Sequence, residues 1–230
     1  MANKQDAKRA ARHGYEFDPR AATAHLSRAD ARLARLIEAA GPFRMQIRTM
    51  HSPFEALARN IIYQQLNGTA AAAIHARVLA LAAGSRLRPE DVLQTSDEAL
   101  RGAGLSRNKL DALRDLAAKT LDGTVPTLAR LKRMTDEEII ERLTQVRGIG
   151  RWTVEMLLMS RLGRPDVLPV GDFGVRKGFS ILYRRDGLPT PKELTAYAER
   201  WRPYRTVASW YMWRAVELPP EALAESRPTL

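Results

Sequence analysis

Asp172 stands in LPVGDFGVRKG (168–178), 22 residues after Gly150, the second glycine of Arg147-Gly-Ile-Gly-Arg151. Helix-forming sequence lies on both sides of that glycine turn. Glycine tolerates positive φ and lets another backbone come close. A helix that begins at Arg151 opens with N–H groups that have no helical acceptor, and these, with the positive end of the helix dipole, suit an anion. Ile149 can tuck back and fix the angle between the two helices, while Arg147 and Arg151 add charge. The turn is therefore either a phosphate grip, which positions a nucleic-acid backbone without reading its bases, or a packing corner. Helix on both sides, the apolar centre and the basic flanks favour the grip.

Gly171 lets the chain turn into a helix over 172–184, which makes Asp172 its expected N-cap. A capping carboxylate is held and pointed, and capping does not exclude chemistry. Hydrolysis of a glycosidic bond ordinarily takes two carboxylates, one of them to protonate the leaving group. An alkylated purine already carries a positive charge and leaves without that proton. One carboxylate then suffices, to stabilise an oxocarbenium-like sugar and orient the attacking water. The base must first leave the stack, which calls for a wedge and an aromatic pocket. Trp152, Trp210, Tyr211 and Trp213 supply aromatic surface, with Met156 one turn after Trp152. An indole face attracts a cationic base by roughly 0.5–2 kcal/mol. Trp210 reads as core.

These residues need helices to place them. Apolar spacing predicts helices over 23–40, 52–67, 68–83, 96–104, 106–120, 135–146, 151–163, 172–184, 190–201 and 203–218. Ser52, Pro53 and Glu55 form an N-terminal capping pattern. FRMQIRTM (43–50) alternates and is the one strand candidate. The fold class is all-α, as two helical lobes around a cleft. One lobe is formed by 23–65 with 165–220. The other, 66–164, contains the helix–hairpin–helix at 139–163. Residues 1–22 read as a flexible basic tail and 221–230 as a second tail. Lys+Arg exceed Asp+Glu by 37 to 26, so a polyanion is the expected partner. There is no cysteine, which excludes disulfides, thiolate nucleophiles and iron–sulfur clusters. His13, His25, His51 and His75 are scattered, so neither a catalytic metal nor another cofactor is expected. No apolar run approaches the roughly 18 residues of a membrane span. The N-terminus lacks the apolar stretch of a secretory signal, which makes a cytoplasmic protein the expectation.

VRGIGRWTVEM, LPVGDFGVRKG and WRPYRTVASWYMW, with FEALARNIIYQQLNGTAAAAI and GAGLSRNKLDAL before them, resemble the helix–hairpin–helix DNA glycosylase superfamily. Within it they are most similar to 3-methyladenine DNA glycosylase II of the AlkA type. The resemblance runs from about Pro53 to Glu217 and implies a set of roles. Asp172 falls on the catalytic aspartate. Trp152 and Trp213 fall on aromatic positions of the base pocket, with Met156 where an aromatic often stands, and Tyr211 and Gln65 are counted in the same pocket. Gly148, Ile149 and Gly150 fall on the phosphate-binding hairpin, flanked by Arg147 and Arg151. In the family that hairpin often holds a monovalent cation, which here would involve Val146 and Gly148. Gln64 and Gln65 fall in a segment that approaches the DNA. The turn Leu105-Ser106-Arg107-Asn108 falls where a wedge enters the stack, with Leu105 or Arg107 as the wedge. Trp152 replaces the lysine of bifunctional relatives, and Gly171 replaces a second acid. The chain before Pro53 is short for the prototype's N-terminal β domain.

The implied activity is monofunctional excision of alkylated bases from double-stranded DNA, at the start of base excision repair. Candidate lesions are 3-methyladenine, 7-methylguanine, hypoxanthine and small alkyl adducts such as 1-methyladenine or 3-methylcytosine. The implied protein is a monomer without an obligate protein partner, associated with the bacterial nucleoid. The alternatives are a non-catalytic helix–hairpin–helix DNA-binding module and a bifunctional glycosylase/lyase. Asp172 with the tryptophans counts against the first, and Trp152 in place of lysine counts against the second.

Overall fold

Asp30 breaks what its apolar spacing presents as one helix. In the computed structural model, which describes residues 14–223, it ends α1 (Pro19–Ala29) and caps α2 (Ala31–Ala40). Its Oδ1 accepts from the N–H groups of Arg32 and Leu33, both at 3.1 Å. Its Oδ2 accepts from Tyr183 Oη at 2.6 Å, Tyr197 Oη at 3.1 Å and Trp201 Nε1 at 3.1 Å. A buried carboxylate is stable only when its oxygens are filled, and five donors fill these. The predicted helix over 23–40 is thus two helices. Burial, with the bond to Asp30, pushes the Tyr183 hydroxyl well above its ordinary range.

The chain divides into two compact units, Met1–Arg48 with Leu158–Leu230, and Thr49–Leu157. The expected boundaries near 65 and 165 lie earlier, because α3 (Pro53–Tyr63) packs on α4 (Gly68–Ala80) and on α7 (Arg107–Leu121). In this unit Leu110, Leu113 and Leu116 of α7 are buried. Against α7 lie α5 (Pro89–Gln94) and α6 (Asp97–Gly102), and Arg114 ties them down through Thr95 O at 2.6 Å and Asp97 Oδ1 at 2.8 Å. Helix α5 has no counterpart among the predicted elements. It starts on Pro89, with Asp91 Oδ2 accepting from the Arg88 N–H at 2.9 Å in place of a Ser or Thr cap. The four-residue α8 (Leu128–Leu131) is too short for periodicity to mark. The unit ends with α9 (Asp136–Leu143) and α10 (Arg151–Leu157).

The other unit takes up the chain at a π-helical turn, Leu158–Leu162, and adds α11 (Phe173–Tyr183), α12 (Pro191–Ala198) and α13 (Arg205–Glu217) to α1 and α2. Helix α11 lies along α13 at very short range: a Cβ added at Gly178 would stand 1.9 Å from Met212 O. No residue described is in a strand, so the expectation for 43–50 is not met. Phe43, Met45 and Met50 are buried, and the Arg48 N–H donates to Ser160 O at 2.9 Å rather than to a partner strand. Of the expected tail 1–22, residues 1–13 lie outside the described ones. The rest is anchored, with Phe17 buried against Tyr15 and Phe43 at ring distances of 5.2 and 6.0 Å, and α1 starting at Pro19. Of the second tail, 224–230 also lie outside the described residues.

Candidate active site and DNA-binding hairpin

Asp172 caps α11: its Oδ1 accepts from the Val175 N–H at 2.8 Å. The same oxygen accepts from Trp213 Nε1 of α13 at 2.9 Å. The cap fixes the carboxylate against its own helix, and the indole fixes it against the next one. Gly174 makes the second bond possible, since a Cβ there would fall 2.7 Å from Trp213 Cδ1 and 3.2 Å from Asp172 Oδ1. Phe173, absent from the expected site, follows the acid directly and is 67% exposed.

Trp213 is also a wall of an open cavity of about 650 Å³ in this unit, lined as well by Ala40, Pro42, Arg44, Met45, Gln46, Trp210 and Arg214. Trp210, read as core, is largely buried yet reaches this cavity. Tyr211 does not. It is 0% exposed, and its hydroxyl donates to Gly41 O at 2.9 Å. One residue along a helix turns a side chain about 100° away, so Tyr211 belongs to the core rather than to a base pocket.

In the other unit the hairpin joins α9 to α10. Gly148 has φ +77, the left-handed region, and Ile149 is buried with its N–H donating to Val146 O at 3.0 Å. Two side chains pin the turn. Gln64 Nε2 donates to Gly148 O at 2.9 Å, and Asp115 Oδ2 accepts from the Arg147 N–H at 2.7 Å. Burial works against the Asp115 charge, but the bonds from the Arg147 N–H and Lys119 outweigh it and hold the carboxyl below its ordinary range. The flanking arginines are less available than their positions suggest. Arg151 bonds Glu137 at 2.7 Å and Glu155 at 3.0 Å, and Arg147 pairs with Asp111 at 3.3 Å. Of the backbone N–H groups of the turn, those of Arg147 and Ile149 are engaged as well, which leaves those of Gly148 and Gly150 as candidate anion ligands. The oxygens of Val146 and Gly148, the expected cation ligands, each accept one N–H, and a carbonyl oxygen has a second lone pair. Among the described residues no group of three or more His, Asp or Glu is placed to hold a metal.

Gly150 is exposed, its φ is not positive, and a Cβ there meets nothing within 4 Å. Neither backbone nor packing requires glycine at this place. We therefore expect Gly150→Ala to leave the melting temperature within a few degrees of wild type while weakening duplex binding about fivefold, as a methyl intrudes on an approaching phosphate. Gly148→Ala should instead cost about 1 kcal/mol of stability through its left-handed backbone. Unchanged duplex affinity for Gly150→Ala, read by fluorescence anisotropy, would make the turn a packing corner.

Trp152, 52% exposed, and the half-buried Met156 lie on α10. In the expected wedge turn, Leu105 is 3% exposed, whereas Ser106 and Arg107 are exposed and Arg107 pairs with Asp111 at 3.3 Å. Leu105 is core, held there by the fold around it, and cannot enter a base stack without leaving that core. Gln65 is exposed and holds φ +56, a left-handed conformation uncommon for a residue with a side chain. Such strain gathers at functional positions.

Residues 58–203 match the model of the HhH-GPD superfamily base excision DNA repair proteins. DNA-3-methyladenine glycosylase 1 of Schizosaccharomyces pombe is 39% identical over 197 residues, covering 84% of this chain and 86% of that protein. The structure of the Schizosaccharomyces pombe 3-methyladenine DNA glycosylase in complex with abasic DNA superposes with a TM-score of 0.75 at 38% identity, covering 86% of this chain and 98% of that one. The structure of a DNA-3-methyladenine glycosidase from Bacillus halodurans gives 0.75 at 40% identity, over 82% of this chain and 86% of that one.

Proposed function

Because the chain belongs to the HhH-GPD superfamily of base excision DNA repair proteins, we propose that it is a monofunctional DNA glycosylase that hydrolyses the N-glycosidic bond of alkylated bases in duplex DNA. The observation that carries this reading is Asp172, fixed through one oxygen by its own helix and by Trp213. The hairpin holds the backbone, the damaged nucleotide turns out of the stack, and the base meets indole surface. As the C1′–N bond breaks, its electron pair leaves with the base and positive charge grows on the sugar. The Asp172 carboxylate stabilises that charge and orients the water that attacks C1′. The products are a free base and an abasic site. Position 152 is tryptophan, which has no amine for a Schiff base with the sugar, so the strand stays whole.

The wedge belongs at Gln65. It is exposed and left-handed, and its neighbour Gln64 is bonded to the hairpin carbonyl that also sets the phosphate grip. Filling the vacated stack offsets an unstacking cost of a few kcal/mol. Gln65→Ala is therefore expected to slow excision about tenfold. Excision at the wild-type rate, with Arg107→Ala slow instead, would move the wedge to Arg107.

3-Methyladenine and 7-methylguanine are the expected lesions, and the enzyme acts as a monomer on chromosomal DNA, in a bacterium at the nucleoid. No helix among the described residues is long and apolar enough to cross a membrane. The test is duplex DNA treated with a methylating agent, with released bases identified by chromatography and mass spectrometry. Free methylated purines are the expected result. Tight duplex binding without release would leave a DNA-binding module.

A further inference from the structure

The cavity beside Asp172 holds one charge with no evident structural purpose. Its aromatic walls are Trp210 and Trp213, and its polar lining is Arg44, Gln46 and Arg214. Arg214 is committed: Nη2 bonds Glu217 Oε1 at 2.6 Å, and its guanidinium carbon lies 5.1 Å from the Trp210 ring centre. Arg44 and Gln46 are exposed, and neither has a hydrogen bond or ion pair among the described residues. Both come from the extended segment after α2, outside every element predicted to build the site.

Resting on the glycosylase reading, we propose that Arg44, seconded by Gln46, is a specificity-determining residue that sets the balance between cationic and neutral bases. A guanidinium stays charged at all working pH values and only donates hydrogen bonds. In a cavity that shares Trp213 with the catalytic acid, it acts on two kinds of leaving base in opposite directions. A base methylated at a ring nitrogen is a cation. Arg44 repels it, against the pull of the indole faces. A neutral purine with a carbonyl on its edge, of the deaminated hypoxanthine type, accepts a bond from Arg44. It is also the poorer leaving group: it departs with the electron pair of the C1′–N bond as an anion, which the guanidinium stabilises as the charge develops. The indoles favour cationic lesions, and Arg44 extends the range to neutral ones.

The experiment compares wild type, Arg44→Ala and Arg44→Gln in single-turnover release from duplexes that carry one 7-methylguanine or one hypoxanthine, with abasic-duplex affinity measured alongside. Arg44→Ala should slow hypoxanthine release about tenfold and speed 7-methylguanine release about threefold, within what one partly screened charge delivers. Arg44→Gln, which keeps a donor without the charge, should fall between for hypoxanthine and match alanine for 7-methylguanine. Affinity for the abasic duplex should stay within about twofold, since the proposed contact is to the base and not to the phosphate backbone. Three results overturn the inference while leaving the glycosylase reading intact: both rates falling together with abasic affinity, which marks a phosphate contact; an unchanged ratio of the two rates; or a wild type that releases 7-methylguanine and no hypoxanthine. A wild type that binds duplex and releases neither base overturns the glycosylase reading itself.

Discussion

Asp172→Asn is expected to lower single-turnover base release by at least about 100-fold, the order lost when one preorganised electrostatic group is removed, while folding and abasic-duplex binding persist. The asparagine oxygen can accept from the Val175 N–H and from Trp213 Nε1 as the carboxylate does now at 2.8 and 2.9 Å. Asparagine also caps helices about as well as aspartate. These two bonds survive while the charge is lost, and with it the stabilisation of the sugar cation and the acceptor for the proton of water. The measurement is a pair: release rate under enzyme excess, and affinity for a duplex with an abasic site. A variant that excises within tenfold of wild type would leave Asp172 as a cap and nothing more.

Gly178→Ala should be the most damaging single methyl in the fold. Its Cβ would stand 1.9 Å from Met212 O and 2.5 Å from the carbonyl carbon, both backbone atoms that no rotamer change can move. Helix α11 would have to back away from α13 over its length. Overpacking a core ordinarily costs about 1–3 kcal/mol, and a clash with backbone belongs at or above the upper end. We expect a loss of about 3 kcal/mol or more in urea denaturation. Catalysis should fall as well, because α11 carries Asp172 and α13 carries Trp213. Gly171→Ala is the control: a Cβ there meets nothing within 4 Å, so it should fold normally. An unchanged denaturation midpoint for Gly178→Ala would mean that the two helices have slack that their spacing denies.

What could be read from the sequence was local. The Asp172 cap, the glycine hairpin and the Ser52–Pro53 helix start depend on residues a few positions apart, and the expectations for them match the geometry described. What could not be read was set by distant partners. Asp30 looks like any polar residue on a helix face until Tyr183, Tyr197 and Trp201 arrive from more than 150 positions away. Leu105 drops out as a wedge candidate, and Gln65, expected in the base pocket, is proposed in its place, because burial, which spacing does not report, hides one and exposes the other. Tyr211 and Trp213 sit two positions apart on a helix that is buried on most sides, so hydrophobic type alone could not separate core from cavity wall. Arg44 and Gln46 are the polar positions of an alternating segment that forms no strand, and alternation marks their exposure without giving them a role. Gly174 and Gly178 were likewise silent in the sequence, because the need for glycine there comes from Trp213 and Met212 on another helix.

The most direct test of the whole account is a duplex with one 7-methylguanine in an end-labelled strand, incubated with wild type and with Asp172→Asn and resolved with and without hot alkali. Wild type should release the base and leave the strand unbroken until alkali cleaves the abasic site, while the variant strand breaks no more in either treatment than the same duplex incubated without protein. A break that appears without alkali, or equal breakage with the two proteins, would contradict a monofunctional glycosylase that works through Asp172.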